Sequence, residues 1–131
     1  MRDEIDLLKA LVSIPSVSGE EEPLARYVEQ VAREWGLAVT RDELAVRVVV
    51  GTRPGPSLAL VSHLDVVPPG NGWTREPFAP TFEGQRLYGR GSGDAKASVA
   101  AMLLAARDLA DAGPPLVGRL LVLLGYGEET K

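Results

Sequence analysis

Apolar residues recur along this chain with two different periods, one typical of helices and the other typical of strands. Apolar positions three and four residues apart predict helices over residues 3–13, 23–35 and 99–110. Two short β-rich runs, residues 39–42 and 45–50, are joined by a tight connection and predict a hairpin. The pattern therefore indicates a mixed α/β protein.

Two longer runs, residues 57–62 and 119–124, are apolar without interruption and are typical of strands buried on both faces. With a helix between them, they predict a βαβ unit with a right-handed crossover. We expect a mostly parallel mixed sheet flanked by helices. In such sheets the carboxyl ends of the parallel strands meet at one edge, where ligands bind.

Short signals mark where these elements begin and end. Ser18 followed by Glu21 predicts a capping box at the start of the second helix. Residues 113–115, Gly-Pro-Pro, predict the end of the third helix. Residues 66–82 contain several prolines and glycines and predict a loop, and residues 87–88 are expected to form a short strand after it.

Composition narrows the classes of function. At 131 residues, with 45% hydrophobic and 24% charged, the chain has the make-up of one globular domain. A net charge of -4 argues against a nucleic-acid partner, which would require a basic surface. There are no cysteines, so disulfides and thiolate metal sites are excluded. Any metal would be held by oxygen and imidazole ligands.

The N-terminal residues are acidic and lack the long apolar run of a signal peptide. No segment is apolar over the length that a membrane-spanning helix needs. We therefore expect a cytoplasmic protein with no membrane partner.

Residues 89–96, Gly-Arg-Gly-Ser-Gly-Asp-Ala-Lys, place three glycines directly before an aspartate. Glycine is used where the backbone takes a positive φ or passes close to another group. One interpretation is that the glycines aim Asp94 at a metal, and the other is a turn in which Asp94 caps the next helix. A dinucleotide-binding fingerprint is disfavoured, because Asp94 or Lys96 would replace its third small residue, and an aspartate would repel pyrophosphate.

His63, the only histidine, follows the first apolar run. A lone histidine at a strand end is commonly a hydrogen-bonded structural residue. Asp65 lies two positions on, so both side chains project to the same side of an extended chain. Its carboxylate can accept the second ring N–H and orient the other nitrogen towards a metal.

Glu128 and Glu129 follow the second apolar run. Adjacent carboxylates repel each other, so the pair is either solvated or compensated by cations. With a metal present, one glutamate can bind the ion while its neighbour takes a proton from water. Imidazole and carboxylate ligands suit zinc, cobalt or manganese. Asp94 has two oxygens and could bridge two ions about 3.5–4 Å apart.

These motifs resemble those of a known enzyme family. Residues 63–65, 89–96 and 128–129 are similar to the three metal-site motifs of the acetylornithine deacetylase, succinyl-diaminopimelate desuccinylase, aminoacylase and carboxypeptidase family. Residues 14–19 resemble its N-terminal signature, and Trp73 with residues 77–78 resembles the loop before its glycine-rich motif. The resemblance implies a zinc-exopeptidase-like catalytic domain that uses two divalent ions, Zn²⁺ or Co²⁺.

The resemblance also implies a role for each candidate residue. His63 would bind one ion, Asp94 would bridge both, Glu129 would bind the other, Glu128 would be the general base and acid, and Asp65 would orient His63. A cis peptide is expected after Asp94. The implied substrate is a small N-acyl amino acid or a short peptide. Acetylornithine deacetylation, and with it arginine biosynthesis, is the first choice. Succinyl-diaminopimelate desuccinylase and di- or carboxypeptidase activities are the alternatives.

Family members are considerably longer, supply two more metal ligands downstream and carry a separate lid domain for dimerisation. We therefore expect residues 1–131 to be the N-terminal portion of a metallohydrolase catalytic domain, with the lid domain absent and a homodimer at full length. The chain alone is expected to be inactive. A different class of function, an inactive truncated relative that serves as a metal- or partner-binding domain, stays open.

Overall fold

The computed structural model describes residues 3–113 and 117–130, and this part of the chain contains three helices and six strands. In chain order they are α1 (Asp3–Ser13), α2 (Glu22–Glu34), β1 (Ala38–Arg41), β2 (Ala45–Arg53), β3 (Ser57–His63), β4 (Thr81–Glu83), β5 (Arg86–Tyr88), α3 (Lys96–Ala112) and β6 (Gly118–Gly125). The predicted helices and the β1–β2 hairpin are confirmed. The loop expected over residues 66–82 is shorter, because β4 begins at its end. No described helix has the length and apolar character needed to cross a membrane.

Four of the strands form one sheet in the order β1-β2-β6-β3, and β4 and β5 form a separate hairpin. β3 and β6 are parallel, whereas β2 pairs antiparallel with both β1 and β6. The mixed sheet and the β3–α3–β6 unit are confirmed, although parallel pairing among the described strands is confined to β3 and β6. The register sets His63 beside Gly125, so both strands end at the same edge.

The hydrophobic core lies between the helices and one face of this sheet. The strand residues of that face pair directly across β2 and β6, as Val46 with Leu124 and Val48 with Val122. They form one buried cluster with side chains of all three helices. Burying a leucine or valine side chain contributes about 1.5–3 kcal/mol, so this cluster holds the helices against the sheet.

The expectation that both long apolar strands are buried on both faces is wrong. β3 is an edge strand in which Leu58 and Val61 are 62% and 65% exposed. β6 alternates, with Val122 buried on the helix side and Leu121 half-buried on the other. An uninterrupted apolar run carries no period, so it cannot tell which faces of a strand are covered.

The predicted capping box is also wrong. Helix α2 begins at Glu22 with Glu21 as its N-cap residue, and no side chain caps it. Ser18 and Glu21 instead bond to residues far along the chain, Asp65 and Gly127. At the other predicted boundary, Gly113 does follow α3, with φ of 76°. Pro114 and Pro115 lie outside the described residues.

A candidate metal centre

The sheet edge gathers the three candidate ligands. His63 ends β3, Glu129 follows β6, and Asp94 lies just before α3. One ligand atom from each of these residues lies within 4.8 Å of the other two. His63 Nε2 is 3.2 Å from Asp94 Oδ1 and 3.9 Å from Glu129 Oε1. Residues separated by up to 66 positions therefore present one imidazole and two carboxylates to a common point.

The imidazole of His63 is oriented by Asp65. Its Nδ1 lies 2.9 Å from the backbone oxygen of Asp65 and 3.2 Å from Oδ1 of the same residue. Both neighbours are acceptors and favour a ring proton on Nδ1, while Nε2 faces the carboxylate of Asp94. The sequence predicted that the carboxylate would orient the ring, and the backbone carbonyl proves to be the nearer acceptor.

Asp65 also holds the two glutamates through their backbone. It is fully buried. Oδ1 accepts the N–H of Glu128 at 3.0 Å, and Oδ2 accepts the N–H of Glu129 at 2.9 Å and the hydroxyl of Ser18 at 2.6 Å. Burial raises the pKa of Asp65, but these hydrogen bonds outweigh it and hold the pKa below its usual value. This second task of Asp65 was not visible in the sequence.

The glycine-rich segment presents Asp94 to solvent. The side chain of Asp94 is 77% exposed, and the peptide bond between Asp94 and Ala95 is cis, as the resemblance implied. Gly91 takes φ of 87°, and a Cβ there would lie 2.7 Å from a methyl group of Val66. The N-cap residue of α3 is Ala95, without a side-chain cap. The alternative in which Asp94 caps the helix is therefore not what the structure has.

Lys96, the last residue of this segment, has a structural role. Its side chain is fully buried, and Nζ donates to the backbone oxygens of Leu11 and Ile14 at 2.9 Å each. Burial lowers the pKa of Lys96 to about 8. Arg90 donates to the backbone oxygen of Pro69. Both cations tie the glycine-rich segment to its neighbours rather than entering the candidate site.

The electrostatics of the cluster fit a cation. The pKa of Glu129 is raised by burial and by the neighbouring carboxylates of Asp94 and Glu128. Burial lowers the pKa of His63, but the carbonyl and carboxylate of Asp65 and the charge of Glu128 raise it above its usual value. Carboxylates crowded about one imidazole repel each other, and a divalent ion would relieve that repulsion. Imidazole and carboxylate donors are those that zinc, cobalt and manganese accept.

Glu128 stands beside the three candidate ligands. Its Oε2 is 3.7 Å from Nε2 of His63, and its side chain is 59% exposed. Its backbone is fixed by Asp65 while its side chain is open to water. The two adjacent glutamates therefore occupy different environments, with Glu129 more covered than Glu128.

Known proteins share both the sequence and the fold. The succinyl-diaminopimelate desuccinylase of Xylella fastidiosa (strain M23) is 37% identical in an alignment that covers 98% of this chain and 36% of that protein. An M20 family metallo-carboxypeptidase from Sulfolobus solfataricus has a TM-score of 0.87 at 27% identity, over 98% of this chain and 32% of that one. A dinuclear metal-binding peptidase of the M20 family from Bacillus subtilis has a TM-score of 0.73 at 19% identity, over 96% and 35%.

The chain thus spans about a third of the length of these relatives. Residues 59–131, more than half of the chain, match the model of one peptidase family. The matched stretch contains all five residues of the cluster just described. The chain belongs to peptidase family M20/M25/M40.

Proposed function

We propose that this chain forms part of a metal-dependent amide hydrolase that removes an acyl group from an N-acyl amino acid. The observation that carries the proposal is the meeting of His63, Asp94 and Glu129 at one sheet edge. Family membership supports hydrolysis as the reaction class. Because the chain spans about a third of its relatives, activity and substrate are proposed for a form with their full length.

Two divalent ions, zinc or cobalt, are the proposed cofactors. His63 would bind one, Glu129 the other, and Asp94 would contribute an oxygen to each. When bound, the ions would polarise the scissile carbonyl and make a nearby water more acidic. The dinuclear metal-binding peptidase from Bacillus subtilis shares this fold and supports the proposed number of ions.

The chain's own residues would move the proton. Glu128 is open to water and lies beside the candidate ligands, so its carboxylate can take a proton from the attacking water. The same carboxylic acid would then give that proton to the leaving amine. Asp65 would keep the proton of His63 on Nδ1 and would hold Glu128 and Glu129 by their amides.

Among substrates, we propose a succinylated amino acid first, because several relatives at 32% to 38% identity are named succinyl-diaminopimelate desuccinylases. Acetylornithine deacetylation was the first choice from the sequence, and it has no such support. A role in arginine biosynthesis was expected only together with that activity, so it is not supported either. Peptide hydrolysis stays an alternative, since solved relatives include a metallo-carboxypeptidase.

The test is a substrate panel on a full-length form supplied with zinc or cobalt. N-succinyl and N-acetyl derivatives of one diamino acid are compared with an unmodified dipeptide, and release of the free amine is followed. We expect the highest kcat/KM for the succinyl compound. Preference for the dipeptide would favour the peptidase alternative. Absence of metal-dependent hydrolysis for all three would contradict the proposal.

We further propose that the 131-residue chain alone binds metal weakly and does not hydrolyse N-acyl amino acids. Catalytic zinc usually has three protein ligands and a water. Here one ion would have His63 and a shared Asp94, and the other would have Asp94 and Glu129. Titration of zinc, followed by the hydrolysis assay, separates a weak metal-binding domain from an active enzyme. Metal-dependent hydrolysis by the 131-residue chain, lost in Glu128→Ala, would overturn this.

A further inference from the structure

Glu21 is a buried carboxylate that lies outside the candidate metal centre. Only 6% of the residue is exposed. Its Oε1 accepts the N–H of Gly19 at 2.9 Å, and its Oε2 accepts the N–H of Gly127 at 2.7 Å. Gly127 lies 106 residues away and directly precedes Glu128. Through the amide of Gly127, the buried carboxylate of Glu21 contacts the segment that carries Glu128, the proposed base.

Glu21 and Asp65 together hold three consecutive amides. Residues 127–130, which we call the glutamate turn, close with the N–H of Thr130 donating to the oxygen of Gly127 at 3.2 Å. Glu21 accepts the first N–H of this turn, and Asp65 accepts the second and the third. Both carboxylates are buried, so water competes little for these bonds.

Hydrogen bonds from the segment before α2 also connect Glu21 with Asp65. The hydroxyl of Ser18 donates to Asp65 Oδ2, and the N–H of Ser18 donates to the oxygen of Val66 at 3.1 Å. The N–H of Val66 in turn donates to the oxygen of Ser16 at 3.0 Å. Residues 16–21 therefore join the end of β3 to the glutamate turn.

The glutamate turn needs such a restraint. Gly127 takes φ of 70°, where glycine has more freedom than other residues. The charges of Glu128 and Glu129 repel each other, which would otherwise drive the two side chains apart. Functional side chains have to be held within about 0.5 Å of their working positions. A small rotation at Gly127 would move both.

We propose that Glu21 is a positioning residue, which fixes Gly127 and thereby directs the side chains of Glu128 and Glu129. The inference rests on the proposed function for what those two glutamates do. The link between Glu21 and the glutamate turn is independent of the proposed function, because the hydrogen bond to Gly127 is observed. The alternative is that Glu21 serves only the start of α2. That alternative predicts effects on the helix, where the Glu21 side chain makes no capping bond.

The test uses Glu21→Gln in the 131-residue chain, with Glu22→Gln as the matched control. Glu22 is the exposed neighbour, and its carboxylate pairs with Arg26. In Glu21→Gln an amide NH₂ replaces one acceptor oxygen, so one of the two bonds is lost and the other is weakened by loss of the carboxylate charge. Backbone amide hydrogen exchange is measured residue by residue. We expect Gly127 and the two glutamates to exchange about tenfold faster, with β6 and α2 unchanged and the control like the wild type.

The second readout is zinc affinity, measured by calorimetric titration of the same three proteins. Loss of a residue that supports a metal ligand typically lowers affinity about 10–100-fold, and we expect about tenfold for Glu21→Gln. In a full-length form, kcat should fall more than KM rises. If a full-length form binds no zinc, the proposed function fails, while the exchange result in the 131-residue chain still decides whether Glu21 holds the turn.

Three results would overturn the inference. One is unchanged exchange at Gly127 in Glu21→Gln, and another is an equal change in the Glu22→Gln control. The third is a uniform acceleration that includes β6, which would make Glu21 a general stability residue. If Glu21→Gln does not fold, Glu21→Asp replaces it, since it keeps the charge and shortens the reach to Gly127. Unchanged exchange at Gly127 in Glu21→Asp would count against the inference in the same way.

Discussion

Asp65 and Asp94 both lie beside His63, yet their surroundings are opposite. Asp65, just after β3, is fully buried, and both its oxygens accept hydrogen bonds from other segments. Asp94, just before α3, is 77% exposed, and its Oδ1 lies 3.2 Å from Nε2 of His63. The same type of side chain can therefore organise a site or remain available to bind an ion, depending on how many hydrogen-bond donors already surround it.

The largest effect is expected at the available carboxylate. In a full-length form, Asp94→Ala should lose bound metal and with it measurable hydrolysis, because the proposed bridging ligand is gone. Elemental analysis of the purified variant, beside the N-succinyl amino acid assay, checks both. A variant that retains its full metal content would show that Asp94 is not a ligand.

Glu128→Ala should separate metal binding from chemistry. Glu128 is proposed to move a proton and not to bind an ion, so the metal content should stay near that of the wild type. Hydrolysis should fall about 10²–10⁴-fold, the usual worth of general acid–base help. Equal metal loss in Glu128→Ala and Glu129→Ala would mean that the roles of the two glutamates are wrongly divided.

Substituting Asp65 should destabilise the fold more than substituting Asp94, the reverse of their expected order for metal binding. Asp65→Ala leaves the amides of Glu128 and Glu129 without that acceptor, and we expect a loss of about 3 kcal/mol in the free energy of unfolding. Asp94→Ala removes an exposed side chain and should change it by less than about 0.5 kcal/mol. Urea unfolding of the two variants, without added metal, measures the difference. Equal losses would erase the distinction between the two aspartates.

The smallest effect concerns Asp42, an exposed carboxylate that also accepts amides. The N–H groups of Leu44 and Ala45 and the guanidinium of Arg47 bond to it, and together they hold the pKa of Asp42 below its usual 3.8, with the amide of Leu44 contributing most. A lowered folded-state pKa stabilises the fold above that usual value and stops doing so as the pH falls through the folded value.

Asp42→Asn should therefore lower Tm slightly at neutral pH, and the difference from the wild type should vanish in strong acid. Thermal unfolding followed by circular dichroism at both pH values measures this. Glu43→Gln, an exposed neighbour in the same connection, is the control. A difference between Asp42→Asn and the wild type that persists unchanged in strong acid would mean that the charge of Asp42 is not its cause.

Much of the fold could be predicted because helical and hairpin periods are local. The spacing of apolar residues placed the helices and the β1–β2 hairpin, and the order strand, helix, strand predicted the parallel pair. The exposure of Leu58 and Val61 could not be predicted. An uninterrupted apolar run is the same whether a strand lies in the centre of a sheet or at its edge.

The convergence of the three candidate ligands could be predicted, whereas the residues that hold them in place could not. His63, Asp94 and Glu129 follow or precede elements whose ends must meet, so their convergence follows from topology. Ser18 and Glu21 have the spacing of a helix cap, and nothing local distinguishes that from bonds to Asp65 and Gly127. Hydrogen bonds between segments 47 to 106 residues apart leave no pattern in a single sequence.

The most direct test of a metal centre at this sheet edge uses the fact that His63 is the only histidine in the chain. A long-range ¹H–¹⁵N NMR spectrum then reports one imidazole without ambiguity. We predict that Nδ1 carries the proton before and after zinc is added, and that the Nε2 resonance shifts with zinc in the wild type but not in Asp94→Ala. If saturating zinc shifts neither nitrogen resonance of His63, or shifts Nδ1 instead, there is no metal centre of the proposed kind at this sheet edge.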